Sequence, residues 1–150
     1  MNIVVRPFEP VTDSGFIFST LPKSIYYGSS VKIPVSRASF FSTSFAYVEA
    51  ITTEKHTRSY IACLKDNPYV IIGYAIIHGT CLEFVYVKEL FRGQKIATLL
   101  LKNQPICEIN EFNLTKVGSE IMKKHMNLFK KEQLDEPDTR KANQDGNSSI

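Results

Sequence analysis

Residues 85–102 read VYVKELFRGQKIATLLLK, and this stretch decides the fold. Val85, Tyr86 and Val87 are β-branched or aromatic and predict the end of a strand. Ile96, Leu99 and Leu100 then recur at helical spacing, so a helix is expected after Arg92. Three basic side chains, Lys88, Arg92 and Lys95, crowd the point where that helix begins. A helix N-terminus carries a partial positive charge, so cations there cost about 0.3–1 kcal/mol each unless an anion shares the site. The first amides of a helix lack acceptors, and Gly93 allows a ligand close to the backbone, so the junction suits a diphosphate.

Working upstream, YVIIGYAIIH (69–78) is nearly all apolar, as expected for a central strand covered on both faces. Gly79–Thr80 predicts a tight hairpin into CLEFVYVK (81–88), and TRSYIACL (57–64) precedes a KDNP turn. Three consecutive antiparallel strands are therefore expected. Nearer the start, NIVVRPF (2–8) predicts a first strand. Asp13 is positioned as the N-cap of a short helix, SGFIFSTL, that stops at Pro22. PKSIYYGSSVKIP (22–34) has loop composition, and residues 36–55 predict a helix with Phe41, Phe45, Val48 and Thr52 on one stripe.

Downstream, Asn103 and Pro105 end the helix that follows Arg92. ICEINEFNLT (106–115) predicts a strand, and residues 116–131 a last helix with Val117, Ile121, His125 and Leu128 on one stripe. The expected order is β-α-α-β-β-β-α-β-α. Residues 132–150 are polar without an apolar period, so one domain over 1–131 with a disordered tail is expected.

A chain of 150 residues with 43% hydrophobic composition suits a single folded core. The net charge of +3 does not itself argue for nucleic acid. Cys63, Cys81 and Cys107 are far apart with no CxxC, which speaks against a disulfide framework or a metal site. No secretory pattern opens the sequence and no apolar run reaches the roughly 18 residues of a membrane span. A cytoplasmic protein without membrane partners is the expectation.

Val87-Lys-Glu-Leu-Phe-Arg92-Gly-Gln-Lys-Ile-Ala97 resembles the acetyl-CoA motif of the GNAT N-acetyltransferase superfamily. Arg92, Ala97 and the Val five residues before Arg92 match that pattern, as does the apolar TLLL that follows. The element order over residues 3 to 131 is similar too, and the short length suits compact members of the kind found in bacteriophages. The resemblance implies a mixed α+β fold, with a twisted, mostly antiparallel sheet flanked by helices. It implies acetyl-CoA as cosubstrate, no metal, and an amine acceptor, either a small molecule or a protein Lys or N-terminus.

Carried over by position, the backbone of Val85, Tyr86 and Val87 would pair with the pantetheine arm, with an oxyanion donor near Val87. The amides of Arg92, Gly93, Gln94, Lys95, Ile96 and Ala97 would hold the pyrophosphate, with the Thr98 hydroxyl beside them. Lys95 stands where the family has Gly; with the negative φ of a helix start, Lys fits there without strain. Glu83 alternates in phase with Val85 and Val87 and is the first candidate for general base; His78 is the second. Tyr26 and Tyr27 fall in the segment that would line the acceptor pocket.

The family's last-helix Tyr acid is absent, since no Tyr follows Tyr86. Together with Lys95 and the basic run Lys123, Lys124, Lys130 and Lys131, this keeps a second reading open. It is a weakly active or inactive GNAT-fold protein that binds and modulates a protein or nucleic-acid partner.

Overall fold

A computed structural model describes residues 2–29, 35–110 and 113. The elements are β1 (Ile3–Pro7), α1 (Pro10–Gly28), α2 (Arg37–Thr53), β2 (Thr57–Leu64), β3 (Ile71–His78), β4 (Cys81–Val87), α3 (Ile96–Leu101) and β5 (Glu108–Ile109). This is the expected order. The expected last helix, with its basic run and His125, and the tail lie outside the described residues.

The sheet runs β1-β2-β3-β4-β5; its first three pairings are antiparallel and β4–β5 is parallel. A parallel pair needs a crossover, and α3 supplies it between β4 and β5. β3 is buried along its length except at His78, as its apolar run dictates.

Each face of the sheet carries one half of the core. Ala62, Ile72, Ala75, Ile77, Leu82, Val85 and Val87 pack with Ile96, Leu100 and Leu101 of α3. On the other face, Ile61, Cys63, Ile71, Tyr74, Ile76 and Phe84 pack with Ile17, Leu21 and Ile25 of α1 and Val48 of α2. Leu101, not Leu99, completes the buried stripe of α3, and Leu99 is 39% exposed.

Two helix expectations need correction. α1 does not stop at Pro22 but runs through it to Gly28. An interior proline costs about 3 kcal/mol. Burial of Ile17, Leu21 and Ile25 offsets this, at roughly 1.5–3 kcal/mol per large aliphatic side chain. Asp13 is not the N-cap, because the helix begins at Pro10 after Glu9. Asp13 lies inside the first turn, where its Oδ2 accepts a bond from the Glu9 N–H at 2.7 Å. In α2 the buried positions are Ser44 and Val48, with Phe40, Tyr47 and Ile51 against the same core; Phe45 is exposed.

A bulge in β4 sets the phase of the candidate site. Ile76 pairs with Phe84 and Ile77 with Leu82, leaving Glu83 as an extra, unopposed residue. The strict alternation that would place Glu83 in phase with Val85 and Val87 is therefore broken. Glu83 instead reaches the α2 side, where Tyr47 meets it.

Candidate active site

The Lys88 N–H still donates to Ile72 O at 2.9 Å, so Lys88 is the last residue of β4's hydrogen-bonded edge toward β3. Along an antiparallel strand the bonded side alternates. The main-chain groups of Val85 and Val87 consequently point the other way, to the edge beyond the short pairing with β5 at Cys81 and Leu82. Among the described residues, no strand takes up that edge past Leu82. Among the described residues, the Val85 N–H and C=O and the Val87 N–H thus stay open along this edge, where an extended chain can pair.

Beyond Val87 the chain makes a 3-10 turn, Glu89–Phe91, closed by Phe91 N–H to Lys88 O at 2.9 Å. The Arg92 side chain then folds back, and its Nε donates to Val87 O at 3.0 Å. This bond pins the loop to the end of the strand. Gly93 follows with φ of 80°, a conformation that suits glycine.

Lys95 has φ of 63° and ψ of 25°, squarely left-handed. The expected negative φ is thus not found. A non-glycine residue in this region costs roughly 1–2 kcal/mol because its Cβ crowds the following carbonyl oxygen. The position where the resembling family has Gly needs glycine's freedom, and here Lys occupies it under strain. The turn leaves the backbone N–H groups of residues 93–98 without an acceptor among the described residues. Leu99 is the first amide to close a helical bond, to Lys95 O at 3.0 Å.

Lys88 leaves the cluster it was expected to join. Its Nζ lies 5.3 Å from the centre of the Phe16 ring, on the α1 side of the sheet. Phe16 in turn meets Tyr74 and Tyr86 edge-on at 6.0 and 5.9 Å. The cation density at the turn therefore comes from Arg92 and Lys95.

No family model matches the sequence, and no curated protein matches it. Solved structures do. The solution structure of apo-form YjaB from Escherichia coli is similar over 82% of this chain and 80% of that one, with a TM-score of 0.55 at 14% identity. The ribosomal-protein-alanine N-acetyltransferase from Brucella melitensis biovar Abortus 2308 is similar over 82% and 86%, with a TM-score of 0.51 at 15% identity. The chain adopts the GNAT fold. A third structure, the aminoglycoside N-acetyltransferase AAC(6')-Iy in complex with CoA, is similar over 85% and 86%, with a TM-score of 0.51 at 19% identity.

Within this GNAT fold the two candidate bases separate. His78 sits at the β3–β4 hairpin and pairs with Cys81, at the end of β4 opposite Val87. Its Nδ1 lies 2.8 Å from Glu54 Oε2, so the ring is tied to the residue that caps the end of α2, at the rim. Glu83 lies mid-strand, half-buried, at the level where β4 and β5 cease to pair. Its Oε2 accepts from Tyr47 Oη at 2.8 Å and from Asn110 Nδ2 at 2.7 Å. Asn113 Nδ2 donates both to Tyr47 Oη at 2.7 Å and to Glu83 O at 2.9 Å. Burial first, and then the Glu83 carboxylate, push the Tyr47 phenol well above its usual range. Burial, reinforced by Glu83 and Glu108, likewise raises the Cys81 thiol.

Tyr26 and Tyr27 are not in a loop but at the end of α1, in an aromatic cluster with Phe40 and Phe41 of α2. Tyr47 and Asn110 escaped the sequence reading. The run Phe40, Ser44, Tyr47, Val48, Ile51 has helical spacing and would have placed Tyr47 on the inner face of α2. Among the described residues, no helix is long and apolar enough to cross a membrane, and no group of three or more His, Cys, Asp or Glu could hold a metal ion.

Proposed function

We propose that this protein is an acetyl-CoA-dependent N-acetyltransferase that moves an acetyl group directly to a primary amine. The observation that carries the reading is the run of acceptor-free amides, residues 93–98, at the end of β4 in a GNAT fold. Those amides, with Lys95 and the remaining N–H groups of Arg92, suit a pyrophosphate. The open N–H and C=O of Val85 suit the amide-bearing pantetheine arm, and the open Val87 N–H suits the developing oxyanion.

Glu83 is the general base of this reading. The acceptor arrives as an ammonium and gives a proton to Glu83, directly or through one water. Its nitrogen lone pair then forms the C–N bond to the acetyl carbon as the C–S bond breaks, and the nitrogen sheds its second proton to solvent to leave the neutral amide. The thiolate leaves with the electron pair and takes a proton from solvent, so the absence of a Tyr beyond Tyr86 does not block turnover.

Thermal shift with acetyl-CoA, CoA and ATP tests the reading. A ligand at a hundredfold excess over its dissociation constant stabilises by about 2.7 kcal/mol. Both CoA species should raise the melting temperature and ATP should not; no shift with either CoA species overturns the assignment. Thiol release across an amine panel then tests turnover. A shift without release supports the second reading, a GNAT-fold binder without activity, for which the strained Lys95 is the structural motive.

A further inference from the structure

Glu83 is held on one side only. Tyr47 Oη and Asn110 Nδ2 both bond to Oε2, while no bond to Oε1 is made among the described residues. The donors come from separate places, Tyr47 from α2 and Asn110 from just past β5, and both converge on the bulge of β4. The Tyr47 hydroxyl is itself oriented, because its oxygen accepts from Asn113 Nδ2 at 2.7 Å. With that lone pair engaged, its hydrogen is directed at the carboxylate.

We propose that Tyr47 and Asn110 are positioning residues that hold the Glu83 carboxylate with Oε1 turned free to take the acceptor's proton. This rests on the acetyltransferase reading and on Glu83 as its base. A glutamate has three rotatable bonds, and fixing Oε2 removes that freedom before the acceptor arrives. The raised Tyr47 phenol stays protonated across the working pH and therefore remains a donor. When the ammonium gives its proton to Oε1, the lone pair it leaves forms the C–N bond as the C–S bond breaks; the nitrogen then loses its second proton to solvent, and the proton on Glu83 also passes to solvent. The titratable groups facing Glu83 among the described residues are Tyr47 from α2 and Cys81 on β4, with Glu108 of β5 beside Cys81.

The test uses the full chain with Tyr47→Phe, which removes only the hydroxyl and keeps the ring packed, and independently Asn110→Ala. The readouts are kcat and KM separately for an amine found in the thiol-release panel, together with CoA affinity and thermal stability. Each variant should lower kcat and kcat/KM alike, by roughly tenfold or more, because the carboxylate is then no longer held in place for the proton. The amine's KM and the CoA affinity should stay unchanged. If wild type turns over and both variants keep its kcat while losing only thermal stability, the clamp is structural and the proposal is overturned. If wild type binds acetyl-CoA but releases no thiol with any amine, the acetyltransferase reading falls, and the clamp's role in proton uptake falls with it.

Discussion

Arg6 grips Asp13 through two parallel bonds, Nη1 to Oδ2 at 2.7 Å and Nη2 to Oδ1 at 2.8 Å, and so locks β1 to the first turn of α1. Asp13 has no exposed surface. Burial pushes its carboxyl up, but the Arg6 guanidinium and the Glu9 N–H together outweigh burial and hold it below its ordinary value of 3.8. A depressed carboxyl contributes stability that is full above its unfolded pKa and lost as pH falls through the folded one. Stability should therefore hold above pH 4 and decline below it, and Asp13→Asn should flatten that decline. The substitution should also cost about 3 kcal/mol at neutral pH, because it strands a partly buried guanidinium. Urea melts at pH 7 and pH 3 check both outcomes.

Lys95 gives a second prediction. Glycine relieves the left-handed strain but frees the unfolded chain, so Lys95→Gly should raise stability by a net ~0.5–1 kcal/mol. In a chain of this size that is about 1–4 °C in melting temperature. CoA affinity should fall a few-fold at low ionic strength and match wild type in high salt, because only the screened ammonium contact is lost. Calorimetric titration with CoA at two salt concentrations reads this.

Arg92→Glu should weaken CoA binding at least tenfold, by reversing the charge beside the proposed pyrophosphate and releasing the loop from Val87 O. The fold should persist, because Arg92 joins neither half of the core. Unchanged affinity with an intact circular-dichroism spectrum would mean that the phosphates bind elsewhere.

Glu83→Gln keeps the shape, and its amide oxygen can accept from Tyr47 and Asn110, but it turns an NH2 donor to the open side and removes the base. Transfer to an amine held below its own pKa should fall by about a hundredfold or more, while CoA affinity stays constant. Raising the pH, so that the acceptor arrives already deprotonated, should recover part of the loss.

Much of the fold is legible because its signals are local. The apolar run of β3, the Gly79 turn and the stripe of α3 each report their own structure within a few residues. Misreadings arose where distant packing decides. Pro22 stays helical because α1 is buried against the sheet, and Asp13 leaves the cap position because Arg6 waits in β1. Glu83 was readable as a carboxylate on β4. Its phase was not, since the bulge at Glu83 carries no Gly or Pro to announce it. The sign of φ at Lys95 was equally hidden, because a lysine there reads as an ordinary first residue of a helix.

The bulge has a consequence for how this chain tolerates change. Glu83 is both the carboxylate and the extra residue between Leu82, which packs with α3, and Phe84, which packs with α1. Because Leu82 and Phe84 already face opposite sides, deleting Glu83 would close the bulge and leave Phe84, Val85, Tyr86 and Val87 on their present faces. Position 83 is thus a removable insert: its substitution or its loss changes the carboxylate while the strand on either side keeps its register.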